Sequence, residues 1–169
     1  MRFSFHRPWR LAPAGGLFLA ALVAAAAAPE VRFAPASGSL ALVDQGAAAP
    51  LWVDAHDFAG VGRAARDLQA DVERVSGVRP DVETAARPAG APQVVIIGTV
   101  GHSALIDALV RSRKLDIRAI RGRWESYLLE VVAEPLPGVA RALVIAGSDR
   151  RGTIYGIYEL SERIGVSPW

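Results

Sequence analysis

The sequence predicts an α/β (α+β) domain in which helices pack on a mixed β-sheet. Three observations predict this fold class. Apolar residues recur every three or four positions between Asp57 and Gly77, which is the spacing of a helix with one buried face. The segment Gln93–Ile97 contains four consecutive β-branched residues, as expected of a strand buried on both sides. Short apolar strands and helices alternate along the chain in the order β-β-α-β-β-α-β-β-α, which favours a layered sheet.

The N-terminus, residues 1–27, has the pattern of a secretory signal peptide. Arginines open it, an unbroken run of glycine and apolar residues follows from Gly15 to Ala28, and small residues surround Ala27. The run is shorter than the roughly 20 apolar residues that span a bilayer, although a retained membrane anchor is the alternative. We therefore expect export to the periplasm or the medium, without membrane attachment after cleavage. After the signal peptide, we expect a loose lead-in at 28–39 and a single domain at 40–169.

The first elements of the domain are short strands and a long helix. Leu40–Val43 and Leu51–Asp54 predict strands, and Gly46 lies where the chain must turn between them. Asp57 is expected to cap the helix, and Gly77 to end it in a left-handed conformation. The predicted buried face of this helix comprises Phe58, Val61, Ala65, Leu68, Val72 and Val75.

The middle of the chain predicts two strands and a second helix. Asp81–Thr84 is a weak strand candidate, and a loop over 87–92 leads into the buried strand Gln93–Ile97. Ser103 is placed to cap the next helix. The apolar residues on one side of that helix are Leu105, Ile106, Leu109 and Val110.

The last third predicts a hairpin and a final helix. The hairpin strands are Glu125–Ala133 and Ala142–Ala146, with Glu134–Gly138 as the turn between them. The helix is predicted over Gly152–Ile164 and ends at Gly165. Its predicted buried residues are Ile154, Ile157, Tyr158 and Ile164.

Composition excludes several classes of site. The chain has 19 Lys and Arg against 17 Asp and Glu, a net charge of +2, and the leader accounts for three of the arginines. The remainder is close to neutral and has no basic cluster with interleaved aromatic residues, so no nucleic-acid partner is expected. There is no cysteine, and only His56 and His102 follow the leader. We therefore expect neither thiol catalysis, nor a metal site, nor a cofactor.

Two turns could carry binding residues. The turn Gly98–Ser103 joins a buried strand to a helix, where free N–H groups can bind an anion, although a plain connecting turn is the alternative. In the second turn, Asp149 is placed to cap the final helix, and Arg150 and Arg151 follow it. Two arginines are unfavourable at the positive end of a helix dipole. They are expected either to pair with carboxylates such as Glu125 or Asp149, or to hold an anionic ligand such as a uronic acid.

A third candidate is the dipeptide Trp124-Glu125. An indole ring can stack on a sugar while a neighbouring carboxylate binds its hydroxyl groups. The alternative is an ordinary hairpin strand with one side chain in the core and one outside.

No pair of carboxylates has the features of glycosidase catalysis, in which two carboxyl groups lie about 5 to 10 Å apart. Glu159 and Glu162 share one helix, and Asp54 and Asp57 flank a strand end. None of the four has a reason to be desolvated. We expect no catalytic residue in this chain.

The stretch Ala142–Trp169 resembles the end of the N-terminal domain of glycoside hydrolase family 115, the xylan α-1,2-glucuronidases. Gly122–Tyr127 and Val95–Gly101 resemble the same family. A related strand–helix pair occurs in N-terminal domains of hexosaminidases and of other α-glucuronidases. The resemblance implies a fold of the hexosaminidase domain 2 type, which precedes a (β/α)₈ barrel that performs catalysis.

The resemblance also implies a function. We expect the non-catalytic N-terminal domain of a secreted hydrolase that removes (4-O-methyl)glucuronic acid from xylan, cut off at Trp169 before the barrel and inactive alone. Glucuronoxylan would be bound through the missing barrel. The residues that could edge its substrate cleft are Trp124, Glu125, Asp149, Arg150 and Arg151. The alternative is a stand-alone secreted carbohydrate-binding or accessory module with the same fold.

Overall fold

A computed structural model describes residues 39–84 and 91–167 of the chain. The predicted signal peptide, nearly all of the lead-in and Trp169 lie outside the described residues. Among the residues that are described, no helix is both long and apolar enough to cross a membrane.

The described part of the chain contains seven strands and three helices. The strands are β1 (Val43–Asp44), β2 (Ala47–Ala48), β3 (Leu51–Val53), β4 (Val82–Glu83), β5 (Gln93–Thr99), β6 (Tyr127–Leu136) and β7 (Val139–Gly147). The helices are α1 (Ala59–Ser76), α2 (Ala104–Arg111) and α3 (Arg150–Arg163). The main sheet has the order β4-β3-β5-β7-β6, in which β6 is antiparallel to β7 and the other neighbours are parallel. The predicted α/β class with a mixed sheet is confirmed.

Helices cover both faces of the sheet. Because side chains alternate along a strand, Val95 and Ile97 of β5 face the core under α1 and α3, while Val94 and Ile96 face the core under α2. All four side chains are fully buried. The β-branched run of β5 therefore holds two apolar layers together, as its composition predicts.

The start of α1 differs from the prediction. Phe58, and not Asp57, occupies the N-cap position, and no side chain caps the helix. The Asp57 carboxylate instead accepts the backbone N–H groups of Phe58 and Thr99, both at 2.7 Å. Asp57 therefore connects the loop before α1 to the end of β5. At the other end of the helix, Val75 is 44% exposed because the core beneath α1 ends at Val72.

The predicted first strand, Leu40–Val43, is wrong in position. The chain instead forms the two-residue ladder of β1 and β2 around Gln45 and Gly46, which both have positive φ. Leu40 and Leu42 still pack against the core from beside the sheet. The element order therefore gains one short strand before β3.

The hairpin and the last helix are longer than predicted. Glu134 to Leu136 remain in β6, because an irregularity between Ala133 and Leu136 accommodates one extra residue, and the turn is Pro137-Gly138. The helix α3 begins at Arg150, directly after its cap Asp149.

The buried face of α3 also differs from the prediction. Tyr158 is 46% exposed, and its hydroxyl group donates a hydrogen bond to Asp67 at 2.9 Å. Small residues take the positions against the sheet, since Thr153 and Gly156 are buried together with Ile157 and Leu160. The close approach of α3 to the sheet therefore depends on residues without a large side chain.

Candidate functional site

The candidate site lies at the edge of the sheet where the parallel strands β3, β5 and β7 end. The chain leaves all three strands at this edge and enters a helix after each one. The antiparallel strand β6 begins here too, since Tyr127 pairs with Gly147. The loops at the carboxyl ends of parallel strands are where α/β proteins commonly bind ligands.

Two aspartates fix the loops after β3 and β5 to each other. Besides the Asp57 contact with Thr99, Asp54 accepts the backbone N–H of Ala104 at 2.7 Å and that of His56 at 2.9 Å. Burial opposes ionisation of Asp54, but the hydrogen bonds from His56 and Ala104 outweigh it and lower the pKa of this carboxyl group. Both aspartates are therefore committed to backbone groups.

The turn Gly98–Ser103 does not present free N–H groups. The backbone N–H groups of His102 and Ser103 donate to the carbonyl oxygen of Thr99. The Val100 N–H donates to the carbonyl oxygen of Gly147. That of Gly101 donates to the Asp107 carboxylate. The geometry therefore favours a connecting turn over an anion site. Its exposed histidine packs on Phe58, with ring centroids 4.2 Å apart.

Asp149 joins the start of α3 to the loop before β6. One carboxylate oxygen accepts the N–H of Gly152 at 2.8 Å, which confirms Asp149 as the cap of α3. The other oxygen accepts the N–H of Glu125, also at 2.8 Å. The hydrogen bonds from Glu125 and Gly152 lower the pKa of Asp149. They also hold Glu125 in a conformation with φ of 53°.

The two arginines of this region have different partners. The Arg151 guanidinium lies 2.8 Å from the Glu125 carboxylate and donates to the Tyr155 hydroxyl group at 2.7 Å. The Arg150 guanidinium lies over the Phe58 ring, 6.0 Å from its centroid, and has no carboxylate partner among the described residues. The predicted pairing with Glu125 is therefore found for Arg151 alone.

Trp124 projects from a well-fixed loop. Its side chain is 88% exposed. Ser126, two residues later, exchanges hydrogen bonds with Ser148: the Ser126 N–H donates to the Ser148 hydroxyl group, and the Ser148 N–H donates to the Ser126 carbonyl oxygen. The backbone beneath Trp124 is thus held on two sides while the indole ring faces solvent. A large exposed apolar side chain on a rigid loop is available to a ligand or a partner.

The five residues singled out from the sequence therefore separate into two groups. Glu125, Asp149 and Arg151 form one connected cluster with Trp124 at its margin, and Arg150 lies apart over Phe58. Sequence reasoning missed Tyr155, although it lies four residues after Arg151 on the same helix, the spacing at which side chains meet. It also missed the Phe58 contacts with His102 and Arg150, which depend on tertiary structure alone.

A concavity of about 620 Å³ lies on another surface, where α3 meets α1 and β6. Tyr127 donates to Glu159 at 3.2 Å, and Tyr158 donates to Asp67. The pKa of Tyr127 is raised by burial and by the charge of Glu159, and the pKa of Tyr158 by its hydrogen bond to Asp67 and by burial. This surface is acidic, and its carboxylates would repel an anionic ligand.

Within the described ranges, no group of three or more His, Asp or Glu side chains is arranged to hold a metal ion.

Comparison with known proteins finds a likeness among solved structures. No family model matches the chain, and no curated protein matches it. Among solved structures, the chain is similar to a family GH115 4-O-methyl-α-glucuronidase with specificity for decorated arabinogalactans. The two are 28% identical with a TM-score of 0.55, over 72% of this chain and 14% of that chain. The chain thus spans a small part of that enzyme's length, and the likeness supports a GH115-like fold for the domain.

Proposed function

We propose that this chain is the non-catalytic N-terminal α/β domain of an exported glycoside hydrolase that removes (4-O-methyl)glucuronic acid from a polysaccharide. The similarity to a GH115 glucuronidase carries the proposal, because sequence identity of 28% and a common fold coincide over 72% of this chain. Since the match covers 14% of that enzyme, most of such a hydrolase would lie outside the matched domain. The signal-peptide pattern of residues 1–27 supports export.

The chemistry of the candidate site supports a non-catalytic role. A glycosidase needs one carboxyl group that stays protonated and a second that is free to act as base or nucleophile. Asp54, Asp57 and Asp149 accept backbone N–H groups, and Glu125 pairs with Arg151. These four carboxylates hold loops in place, and none of them is available to a glycosidic bond.

One carboxyl group away from this edge has a raised pKa, but it lacks a free partner. Burial and the nearby charge of Asp116 raise the pKa of Glu130 on β6. Asp116 itself accepts three hydrogen bonds from the Arg118 side chain, which hold its pKa down at about 2. The Asp116 carboxylate is thus one half of an ion pair with Arg118 and is not free to act as a nucleophile.

The substrate class in this proposal is a polysaccharide that carries glucuronic acid side groups. The similar enzyme is specific for decorated arabinogalactans, whereas the sequence resembles enzymes that act on xylan. In both cases the group removed is a (4-O-methyl)glucuronyl group, so we propose that group and leave the backbone polymer to the experiment.

The experiment compares two products of the gene: the complete reading frame and the 169-residue chain alone. Each is incubated with glucuronoxylan and with glucuronate-decorated arabinogalactan, and the released 4-O-methylglucuronic acid is measured. We expect release by the complete product and none by the 169-residue chain. Release by the chain alone, or a complete product without activity on either polymer, would contradict the proposal.

A stand-alone carbohydrate-binding module is a second candidate, favoured by the 88% exposure of Trp124. Aromatic side chains that face solvent from a rigid loop are common sugar-stacking groups. A reading frame that ends at codon 169, together with saturable binding of the purified chain to one of the two polymers, would favour this candidate over the hydrolase domain.

A further inference from the structure

The segment between α2 and β6 concentrates positive charge. Residues 111–123 contain six basic residues and one acidic residue, a net charge of +5. The remaining described residues contain eight basic and fifteen acidic side chains, a net charge of −7. We call the six residues the basic strip; they are Arg111, Arg113, Lys114, Arg118, Arg121 and Arg123. The segment is therefore a cationic part of a domain whose other described residues are net anionic.

Apolar side chains anchor this segment to the domain. Leu115, Ile117 and Ile120 are each 3% exposed and belong to the core beneath α2. All six side chains of the basic strip are exposed. The segment therefore has one face that packs and one face that presents charge, so its arginines are held on a fixed backbone.

Most of this charge is not neutralised by neighbours. Arg118 pairs with Asp116, and the Lys114 ammonium group donates to the backbone carbonyl of Glu134. Within the described part of the chain, no carboxylate lies in ion-pair distance of Arg111, Arg113, Arg121 or Arg123. Four guanidinium groups thus remain available to an external anion.

The strip ends at the exposed indole ring. Gly122, with φ of 69°, and Arg123 lead directly into Trp124, which is 88% exposed. An arginine fork can donate two parallel hydrogen bonds to a carboxylate, and an indole ring can stack on the apolar face of a sugar. A charged carbohydrate can use both groups at once.

We propose that the basic strip and Trp124 bind a uronate-bearing polysaccharide, with sugar carboxylates on the arginines and a sugar ring on Trp124. The choice of a polysaccharide rests on the proposed function, while the anionic character of the ligand rests on the strip itself. Binding of this kind would hold the polymer on the domain itself, along the segment that is anchored in the core beneath α2.

A nucleic acid fits this surface less well. Single strands are bound by several aromatic side chains that stack successive bases, and the strip has one aromatic residue at its end. A nucleic acid also carries a phosphate at every residue, so the anionic remainder of the domain would oppose it more strongly than a sparsely charged polysaccharide.

The test is affinity electrophoresis of the purified 169-residue chain in native gels that contain glucuronoxylan, with calorimetry to give dissociation constants. The matched ligand is the same glucuronoxylan after chemical reduction of its carboxyl groups, which leaves the polymer but removes the charge. We expect retardation by the native polymer, loss of retardation after reduction, and weaker binding as salt rises.

Two double variants separate the strip from net charge. Arg121→Glu/Arg123→Glu changes the strip, and Arg63→Glu/Arg66→Glu makes the same change in charge on exposed positions of α1, on the other face of the sheet. We expect the first to weaken binding by roughly tenfold or more, since each reversal removes a charge-assisted contact and adds a repulsion. The second should weaken it by less than about threefold. Trp124→Ala should weaken it as well, with the native fold checked by circular dichroism.

Several outcomes would overturn the inference. These are no binding to native glucuronoxylan, equal binding to the carboxyl-reduced polymer, equal losses in the two double variants, or tighter binding to a DNA duplex than to the polysaccharide. The proposed function fails separately, in the release assay on the complete gene product. If the complete gene product is an active glucuronidase and the chain has no affinity for the polysaccharide, only the inference about the basic strip is overturned.

Discussion

The carboxylate of Asp149 accepts the backbone N–H of Glu125 at 2.8 Å while it caps α3 through Gly152. One side chain thus fixes both the helix and the loop that carries Trp124. The position of the exposed indole ring is therefore set by a hydrogen bond that the Glu125 N–H donates to a residue 24 positions further along the chain.

Asp149→Ala is expected to lower the free energy of unfolding by about 2 kcal/mol, because it removes a helix cap and leaves the Glu125 N–H without its acceptor. The measurement is urea unfolding followed by circular dichroism. The control is Asp44→Ala, an exposed aspartate outside this cluster, which should change stability by less than about 0.5 kcal/mol. Equal stability of the two variants would show that Asp149 does not hold the loop.

Stability should fall in acid partly through Asp149. Hydrogen bonds lower its pKa in the folded state, so its contribution is fully present above the ordinary aspartate pKa of about 3.9 and is lost as the pH falls through the lower folded value. Unfolding midpoints should therefore decline as the pH falls below about 4. Asp149→Asn keeps an acceptor but cannot ionise, so its midpoints should decline less steeply. Parallel declines would exclude Asp149 as a source of the acid sensitivity.

Gly152→Ala is expected to destabilise the domain by about 2 kcal/mol, because the added methyl group would overlap the carbonyl oxygen of Ser126. Gly62→Ala is the matched control: it lies within α1, and a methyl group there meets nothing within 4 Å. That variant should be more stable than the wild type by about 0.5 kcal/mol, the usual gain of alanine over glycine in a helix. If both variants gained stability, the close approach of α3 to the Ser126 loop would be disproved.

A buried pair of hydroxyl groups joins β5 to α3. Thr99 and Thr153 lie 2.7 Å apart between their oxygens, and the Thr153 hydroxyl group donates to the Asp149 carbonyl. Thr153→Val should cost about 2 kcal/mol, because it leaves the Thr99 donor buried without an acceptor.

The double variant Thr99→Val/Thr153→Val removes that unpaired donor and should be more stable than Thr153→Val alone. Thermal unfolding of the wild type, both single variants and the double variant completes the cycle. Additive losses would show that the two hydroxyl groups act independently.

Local patterns predict much of this fold. The apolar periodicity of α1, the β-branched run of β5 and the Ser103 cap of α2 are each encoded within one element, and each is confirmed. The prediction that Asp57 caps α1 was wrong for a physical reason. An aspartate before a helix can cap that helix or can accept a backbone N–H from another strand, and the sequence pattern is the same in both cases. The predicted end of β6 was wrong because Glu134-Pro135 has the composition of a turn. The irregularity that keeps these two residues in the strand depends on the pairing with β7.

The candidate site was less predictable than the fold. The Asp149 cap follows from local sequence, and the Arg151 pairing with Glu125 was one of the partners expected. The separation of Arg150 from Arg151 was not expected, since it depends on Phe58, which lies on a loop 92 positions earlier. The basic strip was not predicted as a binding site, because aromatic residues do not alternate with its charges. Its density of arginine is nevertheless visible in the sequence.

The outer strands of the sheet bear on how the domain behaves at high concentration. A sheet edge with unpaired N–H and carbonyl groups is a template on which a second chain can add, which is a common start of aggregation. Here one edge strand, β4, is two residues long, and the other, β6, is interrupted near Pro135. The first is too short to offer a long ladder, and the irregularity ends the regular ladder of the second at Ala133. The register shift in β6, which the hairpin prediction did not include, would thus help to keep the domain from edge-to-edge association.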